Sequence, residues 1–268
     1  MSPLSVEITT KHSSRLEVLT LFSAGFQQKV QSPDFVTERS PGAADLPAQQ
    51  DRLYWPQLSR PCGRKQDGDS QGTGKFFKVP HVARGANDSL VIPKNGTKVD
   101  WEVELAVIIG KKALYVSTDE AIDHVAGYAL HNDYSERSFQ LERGGQWVKG
   151  KSADSFAPLG PFLATQTEIP DPGNLQVWLK VNGVFRQKSS TADMIFDVPT
   201  LVSYVSQFMT LLPGDVISTG TPAGVGLGMT PPQYLKVGDI VELGIERLGE
   251  SRQLAVNFSE EQYNSTVV

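Results

Sequence analysis

Two glutamates separated by a single residue are the feature of this sequence that most directly suggests chemistry. Glu102 and Glu104 belong to the segment D-W-E-V-E-L at positions 100–105. Side chains alternate along a β-strand, so the two carboxylates would share one face of a strand here. Ala106 and Ile108 continue the same face, which indicates that it is at least partly buried. Buried carboxylates of like charge need a compensating cation, and Mg²⁺ or Mn²⁺ prefers carboxylate oxygens.

A second group of candidates follows the next apolar stretch of the chain. Asp133, in the segment His131-Asn132-Asp133, would provide a third carboxylate. Arg137 and Lys151 would provide positive charges that can bind an anionic substrate beside the metal. The spacing leaves simpler explanations open, because the glutamates could be solvated acids at an exposed strand end and His131 could be a packed histidine.

A glycine-rich segment at 218–228 is a candidate for binding the substrate. It offers main-chain N–H groups and hydroxyls, and its glycines permit a ligand to come close to the backbone. Thr219, Gly220 and Thr221 could therefore hold a substrate carboxylate. A plain connecting loop explains the segment equally well.

Residues 145–152 match the G-x-x-x-x-G-K-S pattern of phosphate-binding loops. That motif requires a strand before it and a helix after it. The preceding residues favour a helix, and the following segment is interrupted by Pro158, Gly160 and Pro161. Nucleotide binding is therefore not expected.

The elements that must position these residues are mostly strands. From residue 89 onward, short apolar runs alternate with Gly, Pro, Asn and Asp, which favours a mainly β fold with a few helices. Asn182-Gly183 between two apolar runs predicts a hairpin turn, and Ser117 with Glu120 predicts the capping box of a short helix. The predicted strands are 101–109, 128–132, 175–181 and 184–187, with turn-then-strand segments at 213–218 and 237–242. The pattern also predicts that residues 194–211 are mostly helical, up to Pro213-Gly214.

Composition excludes several classes of protein. Lys and Arg number 25 against 30 Asp and Glu, a formal net charge of −5, so we expect neither nucleic acid nor a membrane as partner. The apolar runs are much shorter than the ~18 to 20 residues that a membrane span needs. The single cysteine, Cys62, can form neither an internal disulfide nor a zinc quartet, which favours a reducing compartment. We therefore expect a cytoplasmic protein that acts on a small molecule.

Four ordered motifs resemble those of the fumarylacetoacetate hydrolase family: D-W-E-V-E-L, H-N-D-x-x-x-R, G-K-S and T-G-T-P-x-G-V-G, over roughly residues 89–248. The resemblance implies the family's mixed β-roll or sandwich fold, a catalytic domain over 76–268, and a homodimer, as family members often are. It also implies Mg²⁺ or Mn²⁺ as the cofactor. The implied site residues are Glu102, Glu104 and Asp133 as metal ligands, Lys151 and Arg137 as catalytic residues, and Thr219, Gly220, Thr221 and Gln146 as substrate-binding residues.

The implied activity is hydrolysis of a C–C bond in a 2,4-dioxo acid, with release of pyruvate as its enolate. Residues 143–147 and 207–209 resemble the branch that contains 2,4-diketo-3-deoxy-fuconate and rhamnonate hydrolases and ureidoglycolate lyases. A decarboxylase, an isomerase or a ureidoglycolate lyase on the same metal site is the enzymatic alternative. The alternative outside enzymes is a non-catalytic metal or ligand binder.

Residues 1–75 depart from the family pattern. They show no sustained period of 2 or 3.6. The family's G-L-N-Y-x-x-H-A-x-E motif, whose His and Glu activate water on a lid helix, is absent from the sequence. Reading the codons of residues 53–66 one nucleotide later permits C-T-G-L-N-Y-R-D-H-A-A-E-S, which contains that motif. We therefore interpret 1–75 as an irregular segment with a frameshifted remnant of the lid region, and expect it to pack poorly.

Overall fold

Most of the regular structure is β-strand. The computed structural model describes residues 53–57 and 74–260 of the chain. Within them the strands are β1 (Leu53–Gln57), β2 (Gly74–Lys78), β3 (Ala83–Gly85), β4 (Leu90–Ile92), β5 (Val99–Asp100), β6 (Val103–Ile109), β7 (Val125–Asn132), β8 (Ser135–Glu136), β9 (Ala157–Leu159), β10 (Ala164–Thr165), β11 (Gln176–Val181), β12 (Val184–Ser190), β13 (Val216–Ser218), β14 (Ile240–Ile245) and β15 (Gly249–Asn257). The α-helices are α1 (Thr118–Ala121), α2 (Arg137–Leu141), α3 (Val148–Lys151) and α4 (Val198–Ser206).

Two large sheets contain nearly all of these strands. The first has the order β2-β1-β13-β6-β7-β9-β3, with β10 also paired to β7. The second has the order β12-β11-β14-β15-β4, and β5 pairs with β8 in a short separate ribbon. This architecture confirms the predicted mainly β fold. Among the helices of the described ranges, none is long and apolar enough to cross a bilayer.

Strand β6 lies near the centre of the first sheet and is buried on both faces. It pairs antiparallel with β13 on one side and β7 on the other. Its odd-numbered side chains, from Val103 to Ile109, pack in the main core with Leu179 of the second sheet. Its even-numbered Ala106 and Ile108 belong to a smaller cluster on the opposite face. The predicted alternation is therefore confirmed, and Glu104 lies on the face of the smaller cluster.

The local signals in the sequence correspond to real turns and caps. Ser117 and Glu120 form the predicted capping box at the start of α1. Asn182 and Gly183 both have positive φ, 51° and 75°, as the hairpin turn between β11 and β12 requires. Helix α4 is shorter than the predicted 194–211, because the Asp197 side chain accepts the N–H of Thr200 at 2.9 Å and so caps the helix start.

Two strands lie within or next to the segment that we expected to be irregular. β1 pairs in parallel with β13 and antiparallel with β2. Main-chain hydrogen bonds are available to any sequence except at proline, so a strand can form without the side-chain periodicity that would predict it. The rest of the 1–75 segment lies outside the described residues. This includes residues 58–66, to which most of the frame interpretation applies.

Gly127 of β7 provides a test of this sheet. It is opposite Thr165 of β10, and a Cβ at this position would overlap the carbonyl oxygen of Ala164. We expect Gly127→Ala to lower the free energy of unfolding by about 1 to 3 kcal/mol, because the two strands would have to separate. Gly228→Ala is the control, since a Cβ there would meet only a Val225 methyl group at 3.8 Å. Urea denaturation measures both, and equal midpoints would contradict the β7–β10 pairing.

Candidate functional site

Three carboxylates converge because the start of β6 lies beside the end of its antiparallel neighbour β7. Glu104 is directly opposite His131 in the register of β6 and β7. Glu102 precedes β6 and Asp133 follows β7, and the Asp133 N–H donates to the Glu102 carbonyl oxygen at 2.8 Å. All three side chains are buried, and carboxylate oxygens of Glu102, Glu104 and Asp133 lie within 4.8 Å of one another. The structure thus brings together the three ligands that the resemblance implied.

Lys151 lies among these carboxylates at the end of α3. Its Nζ is 2.6 Å from Glu102 Oε2 and 2.5 Å from Asp133 Oδ2, and the side chain is fully buried. Helix α3 can approach α2 because of Gly150, where a Cβ would meet the main chain of Gln140 and Glu136 at 2.7 Å. Gly150 therefore serves helix packing, and a helix rather than a strand precedes the G-x-x-x-x-G-K-S segment.

Arg137 is buried between two carboxylates rather than facing an open cleft. Its Nη2 is 2.7 Å from Glu102 Oε1 and 2.8 Å from Asp100 Oδ2. Its Nε donates to Asp100 at 2.9 Å, and its Nη1 donates to Gln140 Oε1 at 3.0 Å. The contacts that Arg137 makes are thus with the protein's own acids and amide, while its proposed contact with substrate stays a prediction.

Lys78 is a member of the site that sequence reasoning missed. Its Nζ lies 2.7 Å from Asp133 Oδ1, donates to the carbonyl oxygen of Tyr134 at 3.2 Å, and also donates to that of Phe156. Asp133 is therefore flanked by an ammonium group on each oxygen. The only signal in the sequence was a lysine beside an apolar pair, F-F-K-V-P at 76–80, which does not distinguish a buried lysine from a surface one.

The glycine-rich loop after β13 holds Glu104 and runs beside β6. Ser218 Oγ and the Gly220 N–H both donate to Glu104 Oε2, the latter at 2.8 Å. Thr219 Oγ1 donates to the Leu105 carbonyl oxygen at 3.1 Å, and Thr221 Oγ1 donates to that of Val103 at 2.9 Å. The loop is thus next to the carboxylate cluster, while its role in substrate binding stays a prediction.

Gln146 differs from the other implied substrate-binding residues. Its side chain is exposed, and its Oε1 accepts the N–H of Val148 at 3.2 Å near the start of α3. The structure does not bring Gln146 into the buried carboxylate cluster. Its assignment to substrate binding stays a prediction.

The carboxyl groups differ in pKa because they differ in partners. Burial raises the pKa of each, but Lys151 and Arg137 outweigh this for Glu102 and lower its pKa to about 2. Burial, opposed by Lys151 and Lys78, raises the pKa of Asp133 to about 6. The pKa of Glu104 is raised well above its ordinary value by burial and by the charges of Asp133 and Glu102. Of these three carboxyl groups, Glu104 is therefore the one whose ionised form is least stabilised by neighbouring positive charge.

His131 is neutral and fixed in one tautomer. Burial and the charge of Lys78 lower the pKa of its imidazole well below the usual range. Its Nδ1 is 2.8 Å from the Pro158 carbonyl oxygen, which can only accept, so Nδ1 carries the proton. The geometry agrees with the simpler explanation of His131 as a packed, hydrogen-bonded residue.

The donor set suits a hard divalent cation. Asp100, Glu102, Glu104 and Asp133 are four buried acids, while Lys78, Arg137 and Lys151 are three buried cations. With every group ionised, the cluster would carry one uncompensated negative charge among buried side chains. Three carboxylates, the candidate set found among the described residues, are ligands typical of hard divalent cations such as Mg²⁺ and Mn²⁺. Glu102, Glu104 and Asp133 are the residues that would hold the ion.

The comparison with protein families agrees with this geometry. Residues 61–255 match the family model for the fumarylacetoacetate (FAA) hydrolase C-terminal domain. The chain belongs to this family. A 2,4-didehydro-3-deoxy-L-rhamnonate hydrolase from Sphingomonas sp. (strain SKA58) is 54% identical over 179 residues, which cover 66% of this chain and 63% of that protein. The chain spans 63 to 65% of the length of the curated relatives with which it aligns here.

Solved structures of the family share the fold. A fumarylacetoacetate hydrolase from the psychrophile Exiguobacterium antarcticum aligns with a TM-score of 0.71 and 36% identity, over 78% of this chain and 76% of that one. A 5-carboxymethyl-2-hydroxymuconate delta-isomerase from Mycobacterium smegmatis aligns with a TM-score of 0.66 and 32% identity, over 77% of each chain. The family fold therefore carries both a hydrolase and an isomerase among the proteins that this chain resembles.

The metal site predicts that Glu104→Gln changes the free energy of unfolding in opposite directions with and without metal. In wild-type protein, Mg²⁺ or Mn²⁺ at a hundredfold excess over Kd should raise the free energy of unfolding by about 2.7 kcal/mol, and Glu104→Gln should remove most of this gain. Without metal, folded Glu104 binds its proton more tightly than in the unfolded chain, so wild-type stability should fall as pH rises above the ordinary pKa of 4.5. The variant should lose less stability over that range.

Thermal unfolding with EDTA or with added metal, from about pH 5 to pH 8, measures both effects. Glu250→Gln, at an exposed position of β15, is the control and should behave as wild type. An equal metal-induced rise in melting temperature in wild type and Glu104→Gln would contradict the assignment.

Proposed function

We propose that this chain is a Mg²⁺- or Mn²⁺-dependent hydrolase that cleaves a C–C bond of a 2,4-dioxo acid and releases pyruvate. The observation that carries the proposal is the convergence of Glu102, Glu104 and Asp133 with the ammonium group of Lys151. Membership of the family supports it, as does the similarity to a relative named 2,4-didehydro-3-deoxy-L-rhamnonate hydrolase.

The charge of the cluster supports an anionic substrate. A divalent ion added to four acids and three cations would leave one net positive charge. The carboxylate of a 2,4-dioxo acid would neutralise that charge. Bound metal would act as a Lewis acid that stabilises negative charge on the substrate's 2-oxo oxygen.

The chain's own residues would supply the remaining electrostatic stabilisation. Lys151 Nζ is within 2.6 Å of oxygens of two of the candidate ligands, so it would lie next to substrate bound there. Its ammonium group would stabilise the enolate oxygen that forms as the bond between C3 and C4 breaks. Water would add to the distal carbonyl carbon, the acid fragment would leave, and the pyruvate enolate would take up a proton at C3.

An isomerase or decarboxylase on the same site is the second candidate. The similarity to the M. smegmatis delta-isomerase favours it. Enolate stabilisation serves these reactions too, and they do not require the water-activating His and Glu that the sequence lacks. Exchange of C3 hydrogens with solvent deuterium, without release of pyruvate, would distinguish this candidate from the hydrolase.

Lys151 and Lys149 provide a matched pair of variants on one helix. Lys151 is fully buried beside the carboxylates, whereas Lys149 is exposed. We expect Lys151→Met to lower kcat/KM for an acylpyruvate by about 10² to 10³, the loss typical of removing one charge-stabilising group, while Lys149→Met stays near wild type. A coupled assay of pyruvate release with Mn²⁺ measures both. Equal activity of the two variants would contradict the role of Lys151.

The frame interpretation predicts a selective gain of hydrolysis. Without a positioned base, water attack should lose about 10² to 10⁴ in rate, whereas enolisation at the metal should survive. A chain with the alternative frame restored over residues 53–75 should therefore release pyruvate faster, with little change in deuterium exchange at C3. The experiment compares both chains after circular dichroism shows that each is folded. If the chain with the present sequence already releases pyruvate as fast as the chain with the restored frame, the frame interpretation is wrong.

A further inference from the structure

Asp100 is a buried acid that the proposed chemistry does not use. It is completely inaccessible to solvent and lies two residues before Glu102. Its Oδ1 accepts the N–H groups of Trp101 at 2.9 Å and Gly226 at 2.6 Å, and its Oδ2 accepts that of Leu227 at 3.0 Å. These three main-chain donors hold the carboxylate in a fixed orientation.

The same carboxylate is connected to the metal centre through Arg137. Arg137 Nη2 is 2.8 Å from Asp100 Oδ2 and 2.7 Å from Glu102 Oε1, so the guanidinium is shared between the two acids. If Asp100 carried no charge, the positive charge of Arg137 would fall on Glu102 alone. Because Lys151 also contacts Glu102, a metal cation would then meet a carboxylate whose charge is more than balanced by its two neighbours.

Asp100 and its neighbour also fasten the far end of the glycine-rich loop. Besides the Gly226 and Leu227 amides on Asp100, Trp101 Nε1 donates to the Gly224 carbonyl oxygen at 3.1 Å. A Cβ at Gly226 would lie 2.9 Å from Asp100 Oδ1 and would overlap the Gln233 carbonyl oxygen. This glycine therefore serves the contact between loop and carboxylate. The loop is held at both ends by the segment that contains the candidate ligands.

We propose that Asp100 is a positioning residue of the metal centre. It balances the charge of Arg137, so that Glu102 stays available to a divalent cation, and it anchors the loop segment 224–227. The proposal rests on the metal centre proposed above. Asp100, the first residue of the D-W-E-V-E-L segment, thus belongs to the metal centre together with Glu102 and Glu104.

The two ways in which Asp100 could matter are separable. A residue that only stabilises the fold would change metal affinity equally whether or not Arg137 is present. A residue that acts through Arg137 would change it only when Arg137 is present. A double-mutant cycle on Asp100 and Arg137 measures this difference.

The experiment measures the Kd of Mn²⁺ for the full chain by electron paramagnetic resonance of free Mn²⁺. The variants are Asp100→Asn, Arg137→Gln and the double variant. Asp215→Asn is the control, because Asp215 is also a buried aspartate and accepts the N–H of Leu212 at 2.8 Å. We expect Asp100→Asn to raise Kd about tenfold, within the range of coupling between contacting groups. In the Arg137→Gln background the same change should alter Kd less than about twofold, and Asp215→Asn should leave Kd unchanged.

A tenfold rise in both backgrounds, or no rise in either, would overturn the proposal while leaving the metal centre intact. Failure of wild-type protein to bind Mn²⁺ would overturn the metal centre and the proposal together. If Asp100→Asn does not fold alone, Asp100→Ser replaces it in both backgrounds with the same expected values, and a Kd difference of more than about twofold between Arg137→Gln and the double variant would by itself overturn the proposal. Hydrogen exchange adds a readout without metal, since the Gly226 and Leu227 amides should exchange faster in Asp100→Asn.

Discussion

The burial of seven ionisable side chains in one cluster is the constraint on which the rest of this structure depends. Charges removed from water must be matched at close range, and here most of them are. Asp133 lies between Lys78 and Lys151, and Glu102 lies between Lys151 and Arg137. Glu104 is hydrogen-bonded instead by the uncharged Ser218 and Gly220. Burial and the charges of Asp133 and Glu102 therefore raise the pKa of Glu104, and a divalent cation beside it would reduce this repulsion.

Several backbone features follow from this need to bring charges together. Helix α3 must approach α2 closely to deliver Lys151, and Gly150 makes that approach possible. The loop after β13 must follow β6 closely to hold Glu104, and Gly220 takes a φ of 95° there, a conformation that costs glycine little. Gly150 of the segment that matches a phosphate-binding loop thus serves the packing of one helix against another.

The parts of the site that sequence predicted are those set by local geometry. Alternation along one strand placed Glu102 and Glu104 on the same face, and the apolar stretch before Asp133 placed it at a strand end. The antiparallel register of β6 and β7 then joined the three. Lys78 and the role of Asp100 were not predictable in this way, because each depends on a partner more than 30 residues distant along the chain, Asp133 for Lys78 and Arg137 for Asp100. The predicted helix at 194–211 was too long for a different, local reason, since the apolar pattern alone does not locate the Asp197 cap.

The sequence by itself determined the class of fold, the strand that carries the glutamates, and, through four ordered motifs, the family. These depend on side-chain period, turn residues and motif order, which are properties of the chain read in one dimension. Only the tertiary structure decided that Arg137 is shared between Asp100 and Glu102, that Lys78 faces Asp133, and that Gln146 is exposed. The physical reason is that the charge state and accessibility of a buried group depend on every neighbour within a few ångströms, and those neighbours come from β2, β5, β6, α2, α3 and the turn after β7 together.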